Sequence, residues 1–260
     1  MPTAAEQILS KAPMPTPLSS AEIRASVAES VRARSLFSAC TTEAGYLARL
    51  QELLRQAADG EIDKATFVKR AQDHLLSMGY DPEAEGAETG SIRDRASERR
   101  LKLIYDTNVQ RARAVAKASA QTPETLRDFP AWRLVRVSGR RTPRLDWIAR
   151  WQAAGDESGW RGAHRSDFVA LKDSPIWSAL GHGAGGFKDC LDCDTPPFCF
   201  GSGVGWADVS REECQQLELP VESLPPTVTL APDNQEYVDA FNRLPPELRA
   251  AAEEHLRRTA

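Results

Sequence analysis

The sequence predicts an α+β fold: a mostly helical N-terminal half, a compact, loop-rich, Trp-rich α+β module, and a C-terminal helix. Three observations carry this. Apolar residues recur at helical spacing from Ser20 to about Ala120. All six tryptophans, Trp132, Trp147, Trp151, Trp160, Trp177 and Trp206, fall in the second half. There, glycines crowd Gly181–Gly186 and Gly201–Gly205, and only short stretches have strand character.

Residues 1–19 hold Pro2, Pro13, Pro15 and Pro17 without a sustained period and are expected to form an extended arm. A helical region, 20–122, follows. Ser20 is placed to cap a helix running to about Phe37, with Ile23, Val27 and Val31 on one face. Thr42 opens the next helix, whose stripe of Tyr46, Leu47, Leu50, Leu53 and Leu54 stops before Gly60. Asp63 caps a third, carrying Phe67, Val68, Ala71, Leu75 and Met78 and ended by Gly79. Short turns between these helices predict antiparallel packing. Tyr80–Gly90 reads as a loop. A long helix from about Ile92 to Ala120 gathers Leu101, Ile104, Tyr105, Val109, Ala112, Val115 and Ala116 on one face, and Pro123 and Pro130 end it. The α+β module is 123–219, with strands at Leu134–Val137 and Phe168–Leu171. Residues 220–260 are a linker, Pro220–Pro232, and a hooked helix, Asn234–Arg258, divided by Pro245 and Pro246. Trp132, Trp147, Trp151 and Trp177 are expected to share one aromatic core, with Pro196-Pro197-Phe198 docked on it.

At 41% hydrophobic and 27% charged, the 260 residues have an ordinary globular balance. No apolar run approaches the ~18–20 residues of a membrane span, so no membrane partner is expected. Met1–Ser20 lacks the charged-then-apolar pattern of a secretory leader. Five cysteines are too few for a disulfide scaffold, and a reducing cytoplasm is the expected compartment of synthesis.

The net charge of −4 hides an asymmetry: Ser91–Arg150 contains fifteen Lys or Arg against six Asp or Glu. A basic segment in an otherwise acidic chain suits an anionic partner such as double-stranded DNA. Arg93, Arg99, Arg100, Arg111, Arg113, Arg140, Arg141 and Arg144 are the candidate contacts. The competing reading is a solvated helix face whose acidic partners come from elsewhere in the fold.

Cys190 and Cys193 form a CxxC motif, with Cys199 downstream and His182 upstream. Zinc favours four such ligands, so His182, Cys190, Cys193 and Cys199 are the candidate metal set. The alternative is small thiols in an irregular loop, with no cofactor. No GxSxG, Walker A or HExxH motif occurs, and the glycines of 181–186 lack the lysine and the strand–helix setting of a phosphate loop. Asp106, Thr107 and Asn108 sit inside a helix, where short polar residues are unfavourable, so they are expected to fix that helix against the following module.

Several of these residues together resemble a known family. Leu103–Val109, with its Asp106-Thr107-Asn108, is similar to the "DTN" helix of phage minor head proteins, the Mu F-like head-morphogenesis family. So are Arg140–Arg144 with Trp147 and Trp151, and Ala170–Trp177 with its Ser174-Pro175-Ile176-Trp177. Pro196-Pro197-Phe198-Cys199-Phe200-Gly201-Ser202-Gly203-Val204-Gly205-Trp206, followed by Val209–Glu213, resembles that family's ending, with Gly201 where an asparagine is usual. Upstream, Arg34–Ala39 and Gly60–Ala65 also fit, so the likeness covers about Arg34 to Leu219. It implies a phage or prophage structural protein. That protein would be made in the bacterial host cytoplasm, associate with portal or capsid proteins during head assembly and DNA packaging, and then reside in the virion head without catalytic residues.

Two other classes compete. One is an enzyme, an ADP-ribosyltransferase or nuclease of the toxins that carry Mu F-like domains; about forty residues follow the last block, expected to be too few for an added catalytic domain. Its signature would be a cleft joining Arg140, Glu157 and His164. The other is a zinc-binding, nucleic-acid-associated module.

Overall fold

The computed structural model describes residues 2–137, 144–164, 166–223 and 234–259. Its helices and strands follow in the order α1 (Ala4–Leu9), β1 (Ala12–Pro13), α2 (Ser20–Ser26), α3 (Glu29–Ala33), β2 (Ser35–Leu36), α4 (Ala44–Asp59), α5 (Lys64–Ser77), α6 (Glu98–Ser119), α7 (Pro123–Asp128), β3 (Ala131–Arg136), α8 (Trp147–Ser158), β4 (Val169–Leu171), α9 (Ile176–His182), β5 (Val204–Val209), α10 (Arg211–Gln216), α11 (Asn234–Asn242) and α12 (Pro246–Thr259). The fold is α+β. None of the described helices is long and apolar enough to cross a membrane. Two compact units result, Pro2–Ala112 with Ala231–Ala260, and Arg113–Leu230. The division falls inside α6 and not at residue 122, because one unbroken helix supplies Leu101, Val109 and Ala112 to one core and Ala118 to another.

The helical unit corrects the expected extended arm. Thr3 and Glu6 cap α1 reciprocally, β1 pairs in parallel with β2 through Ala12 and Ser35, and Ile8 and Met14 are buried. Gln51 on α4 supplies the anchor: its side-chain amide donates to the carbonyls of Ile8 at 2.9 Å and Lys11 at 2.6 Å, covering the end of α1. The C-terminal helices belong to this unit too, since Ala240, Leu244 and Leu248 pack with Ala12, Met14, Ile23, Val27 and Val31. The expected helix from Ser20 to Phe37 is two helices, because Val27 takes an extended conformation and caps α2. α4 stops where Gly60 turns left-handed, and α5 starts where the Asp63 carboxylate accepts from the Thr66 amide at 2.8 Å. Their apolar faces meet Leu101 and Val109 in one cluster. α6 begins later than its periodicity suggests. Asp94 folds the preceding segment into a loop by accepting from the amides of Gly90 (2.8 Å) and Ala96 (2.9 Å) and from the Tyr80 hydroxyl (3.2 Å).

In the second unit β3 lies between β4 and β5, antiparallel to both. β5, α8 and α9 add regular structure to a module expected to be loop-rich; Trp147 and Trp151 lie on α8, one turn apart. The core is aromatic as expected: Trp132, Trp147, Trp151, Trp177, Trp206 and Phe198 are buried in one cluster. Trp132 stacks on Trp206 at 3.8 Å. Trp177 touches four rings, stacked on Phe198 at 6.1 Å and inclined to Trp132, Trp151 and Trp206 at 6.2, 5.5 and 5.6 Å. Its indole N–H donates to the Leu171 carbonyl at 2.9 Å. The glycine run closes α9, with left-handed Gly183 as its cap. A Cβ on Gly181 would sit 1.8 Å from the Cys193 carbonyl oxygen, so only glycine lets the 190–199 loop lie against this helix.

Replacing Trp177 with alanine should therefore destabilise the protein by about 3–5 kcal/mol in urea unfolding followed by circular dichroism. Leu145→Ala, at a side chain that is 91% exposed, should stay within about 0.5 kcal/mol.

Candidate functional site around Arg150

Arg150 stands one helical turn after Asp146, on the face of α8 turned into the aromatic core. Its side chain is 6% exposed and its charge is met from several sides. Asp146 accepts from Nε and Nη2, both at 2.8 Å, and Asp189 lies 2.9 Å from Nη1. The same Nη1 is 3.3 Å from Cys199 Sγ and 3.7 Å from Cys190 Sγ. The guanidinium carbon sits 4.0 Å from the centre of the Phe187 ring and 5.7 Å from that of Trp147. Arg144 completes the cluster by pairing with Asp189 and donating to the Phe200 carbonyl at 2.7 Å.

The electrostatics follow from this packing. Burial works against the charge of Arg150, but the hydrogen bonds to Asp146 and Asp189 and the field of Cys199 outweigh it and hold its pKa above the ordinary value. Burial also works against ionised Asp189, and the two arginines overcome it, keeping that carboxyl below the usual range. The thiols lie 3.2 Å apart. The hydrogen bond from Cys199 lowers the pKa of Cys190, whereas that same bond, then burial, raises Cys199. The titration of the two thiols therefore belongs to the pair.

The expected zinc set is not assembled. Cys193 Sγ donates to the Thr195 carbonyl at 3.2 Å, and His182 Nδ1 lies 2.7 Å from the Ser178 carbonyl on the exposed side of α9. The group that does converge in this loop is Asp189, Cys190 and Cys199. Arg150 Nη1 reaches all three, at 2.9 Å from Asp189, 3.3 Å from Cys199 and 3.7 Å from Cys190. Sequence spacing pointed to the CxxC pair. It missed Cys199 as the true neighbour of Cys190 and missed Arg150, whose only signal was Asp146 four residues earlier.

A second buried charge lies at the sheet. The Lys172 side chain is wholly buried, with Nζ 3.0 Å from Asp208 Oδ1 and 2.5 Å from Gln121 Oε1. Asp208 also meets Lys117 at 2.8 Å and the Trp132 indole N–H at 3.1 Å. Burial lowers the pKa of Lys172; for Asp208 it acts against ionisation, but the two lysines prevail and lower its pKa.

The arginines proposed from sequence as DNA contacts separate into groups. Arg93, Arg99 and Arg113 are exposed and Arg111 is half-buried. Arg100 is corrected to a structural role: it is buried, donating to Ser38 Oγ at 2.9 Å, to the Arg93 carbonyl at 3.1 Å and to the Ala39 carbonyl. Arg144 is committed to Asp189, as above. Arg140 and Arg141 lie outside the described residues, as does the His164 side chain, so the Arg140–Glu157–His164 cleft falls outside them too. Asp106 pairs with Lys64 of α5 at 2.5 Å and Asn108 Nδ2 donates to the Ile104 carbonyl at 2.9 Å. This ties α6 to the helical unit and not to the following module. Thr107 Oγ1 is buried beside them. Pro175 caps α9, buried Ser202 donates to the Pro197 carbonyl, and Gly203 accepts from the Val137 amide at 2.9 Å.

Comparison of the chain with protein-family models, with curated proteins and with solved structures found no match.

Asp208→Asn strands the Lys172 ammonium, and should cost about 3–5 kcal/mol, with much of it restored when Lys172→Met is added. The carboxylate's pKa is lower in the folded state than in the unfolded chain. Its stabilisation is therefore present above about pH 4 and lost as pH falls further. The Asn variant should show a shallower acid limb in unfolding measured against pH.

Proposed function

We propose that this chain is a minor head protein of the Mu F-like head-morphogenesis kind, a non-catalytic adaptor at the portal region of a phage or prophage head. The observation that carries this reading is how the resembling blocks sort onto the two cores. Trp147 and Trp151, Ala170 with Ile176 and Trp177, and Phe198 with Cys199 and Trp206 come from three separate blocks and share one cluster. Leu36, Ile62, Ile104, Tyr105 and Val109 come from the upstream blocks and share the other. Blocks scattered along a chain that coincide with its packing nuclei are what a common fold would leave behind.

The polar groups favour an adaptor over a catalyst. Arg150, Lys172, Arg100 and Asp208 are spent on holding helices, strands and loops in place, each through two or more partners. A rigid surface docks without a large ordering cost. Localisation in the host cytoplasm and then in the virion head, with portal or capsid proteins as partners, follows from this reading, as does proximity to packaged DNA. The zinc-binding alternative keeps Cys190 and Cys199 of its set beside Asp189, while Cys193 and His182 turn to other partners.

Cryo-electron microscopy of heads assembled with a tagged chain tests the proposal: density for it is expected at the portal vertex. Even distribution over the shell, or loss from purified heads, overturns it. Arg93, Arg99, Arg111 and Arg113 supply the DNA arm of the reading. Changing all four to glutamate should weaken duplex binding and flatten its salt dependence, by a log–log slope of about 0.9 for each phosphate contact removed.

A further inference from the structure

We propose that Cys190 and Cys199 are an oxidisable dithiol that closes to an intramolecular disulfide on exposure to a hydroperoxide. Backbone geometry is the first argument. The two residues face each other across an antiparallel bridge. The flanking bonds run from the Leu191 amide to the Phe198 carbonyl at 2.7 Å and from the Phe200 amide to the Asp189 carbonyl at 3.0 Å. Cys190 and Cys199 are therefore a non-hydrogen-bonded pair, the kind whose Cα atoms approach to about 4.5 Å and whose side chains lie closest. That separation is inside the window a disulfide requires. The sulfurs are 3.2 Å apart, so the bond needs an approach of about 1.2 Å between side chains already on one side of the hairpin.

The surroundings supply the second argument. Arg150 stands beside both sulfurs and favours a thiolate, the nucleophilic form. Both sulfurs are buried, but Asp189, which shares the Arg150 guanidinium with them, keeps 36% of its side chain exposed. Solvent is one side chain away, which suits a small oxidant.

The chemistry balances in two steps. The Cys190 thiolate attacks one peroxide oxygen; an S–O bond forms, the O–O bond breaks, and the departing oxygen takes up a proton to leave as water or an alcohol. Cys199 then attacks the sulfenic sulfur of Cys190; the S–S bond forms, the S–O bond breaks, and hydroxide leaves with the Cys199 proton as water. Two thiols are oxidised by two electrons and the peroxide is reduced by two.

The test uses the full native chain. Hydrogen peroxide is added, remaining thiols are alkylated, and peptides are mapped by mass spectrometry without reduction. The expected result is a species lighter by two hydrogen atoms joining Cys190 to Cys199, with both thiols lost together while buried Cys193 and Cys214 are still alkylated. In Cys199→Ser, Cys190 should accumulate as a sulfenic acid trapped by dimedone. The proposal is overturned if Cys190 and Cys199 stay reduced while exposed Cys40 is oxidised. It is also overturned if Cys190 links to Cys193, or if both thiols are protected until a chelator is added, which would mark a metal site. The wild-type map decides the matter even where the variant fails to fold.

Discussion

Indole packed against indole around Trp177 is the constraint on which the second unit depends. A three-stranded sheet with a three-residue edge strand has too little apolar face to hold a core of its own. Tryptophan makes up the difference, since each ring removes about 150–250 Å² from water. The stack of Trp132 on Trp206 also fixes the strand register. Trp206 faces Leu134 across the ladder and Trp132 faces Asp208, so sliding β5 by one residue would turn Trp206 and Asp208 to the wrong faces. Trp177 then joins helix, sheet and loop, because its neighbours come from β3, α8, β5 and the Pro197–Phe198 turn.

Two buried cations sit against this aromatic packing, Lys172 and Arg150. The indole N–H groups of Trp132 and Trp177 find acceptors, whereas those of Trp147, Trp151, Trp160 and Trp206 are buried with no hydrogen-bond partner among the described residues. Asp208, whose side chain is 32% exposed, accepts from Trp132 and pairs with the buried Lys172 ammonium and with Lys117. Large rings also offer faces on which a cation can rest. Lys172 lies 5.5 Å from the centre of Trp132, and Arg150 lies nearer still to Phe187. Such pairs add little net stability over an apolar filling, but removing one partner leaves a charge that has nowhere to go. They hold geometry more than they hold energy.

What the sequence made legible was whatever local physics decides. The stripes of α4 and α5, the stop at Gly60 and the Asp63 cap follow from spacing and backbone preference alone. The aromatic core was legible because six tryptophans in some seventy-five residues have few other places to go. The first nineteen residues were misread because their anchor, Gln51, is some forty residues away and nothing local announces it. β5 was missed because its inward residues, Val204 and Trp206, alternate with Gly205 and Ala207, a weak strand signal that only pairing with β3 makes good. The thiol site was half legible. A CxxC spacing draws the eye to Cys193, but the hairpin made by Leu191 and Phe198 brings Cys199 to Cys190 and turns Cys193 toward Thr195.

One loop connects these threads. Residues 190–199 carry both Phe198, which stacks on Trp177, and the two thiols beside Arg150. Gly181 lets that loop lie directly on α9, and Arg144 and Arg150 hold Asp189 at its base. Its conformation is thus set by an aromatic contact at one end, a charge cluster at the other and a steric allowance between them. The three act on different parts of the loop, so none substitutes for another, and the loop is rigid without being long or regular. For an adaptor that rigidity has a use, because a surface ordered before its partner arrives loses less conformational freedom on docking. A covalent bond between the two sulfurs would fall between Phe198 and Asp189, the points where the loop is already fixed. It would therefore tighten the existing arrangement instead of imposing a new one.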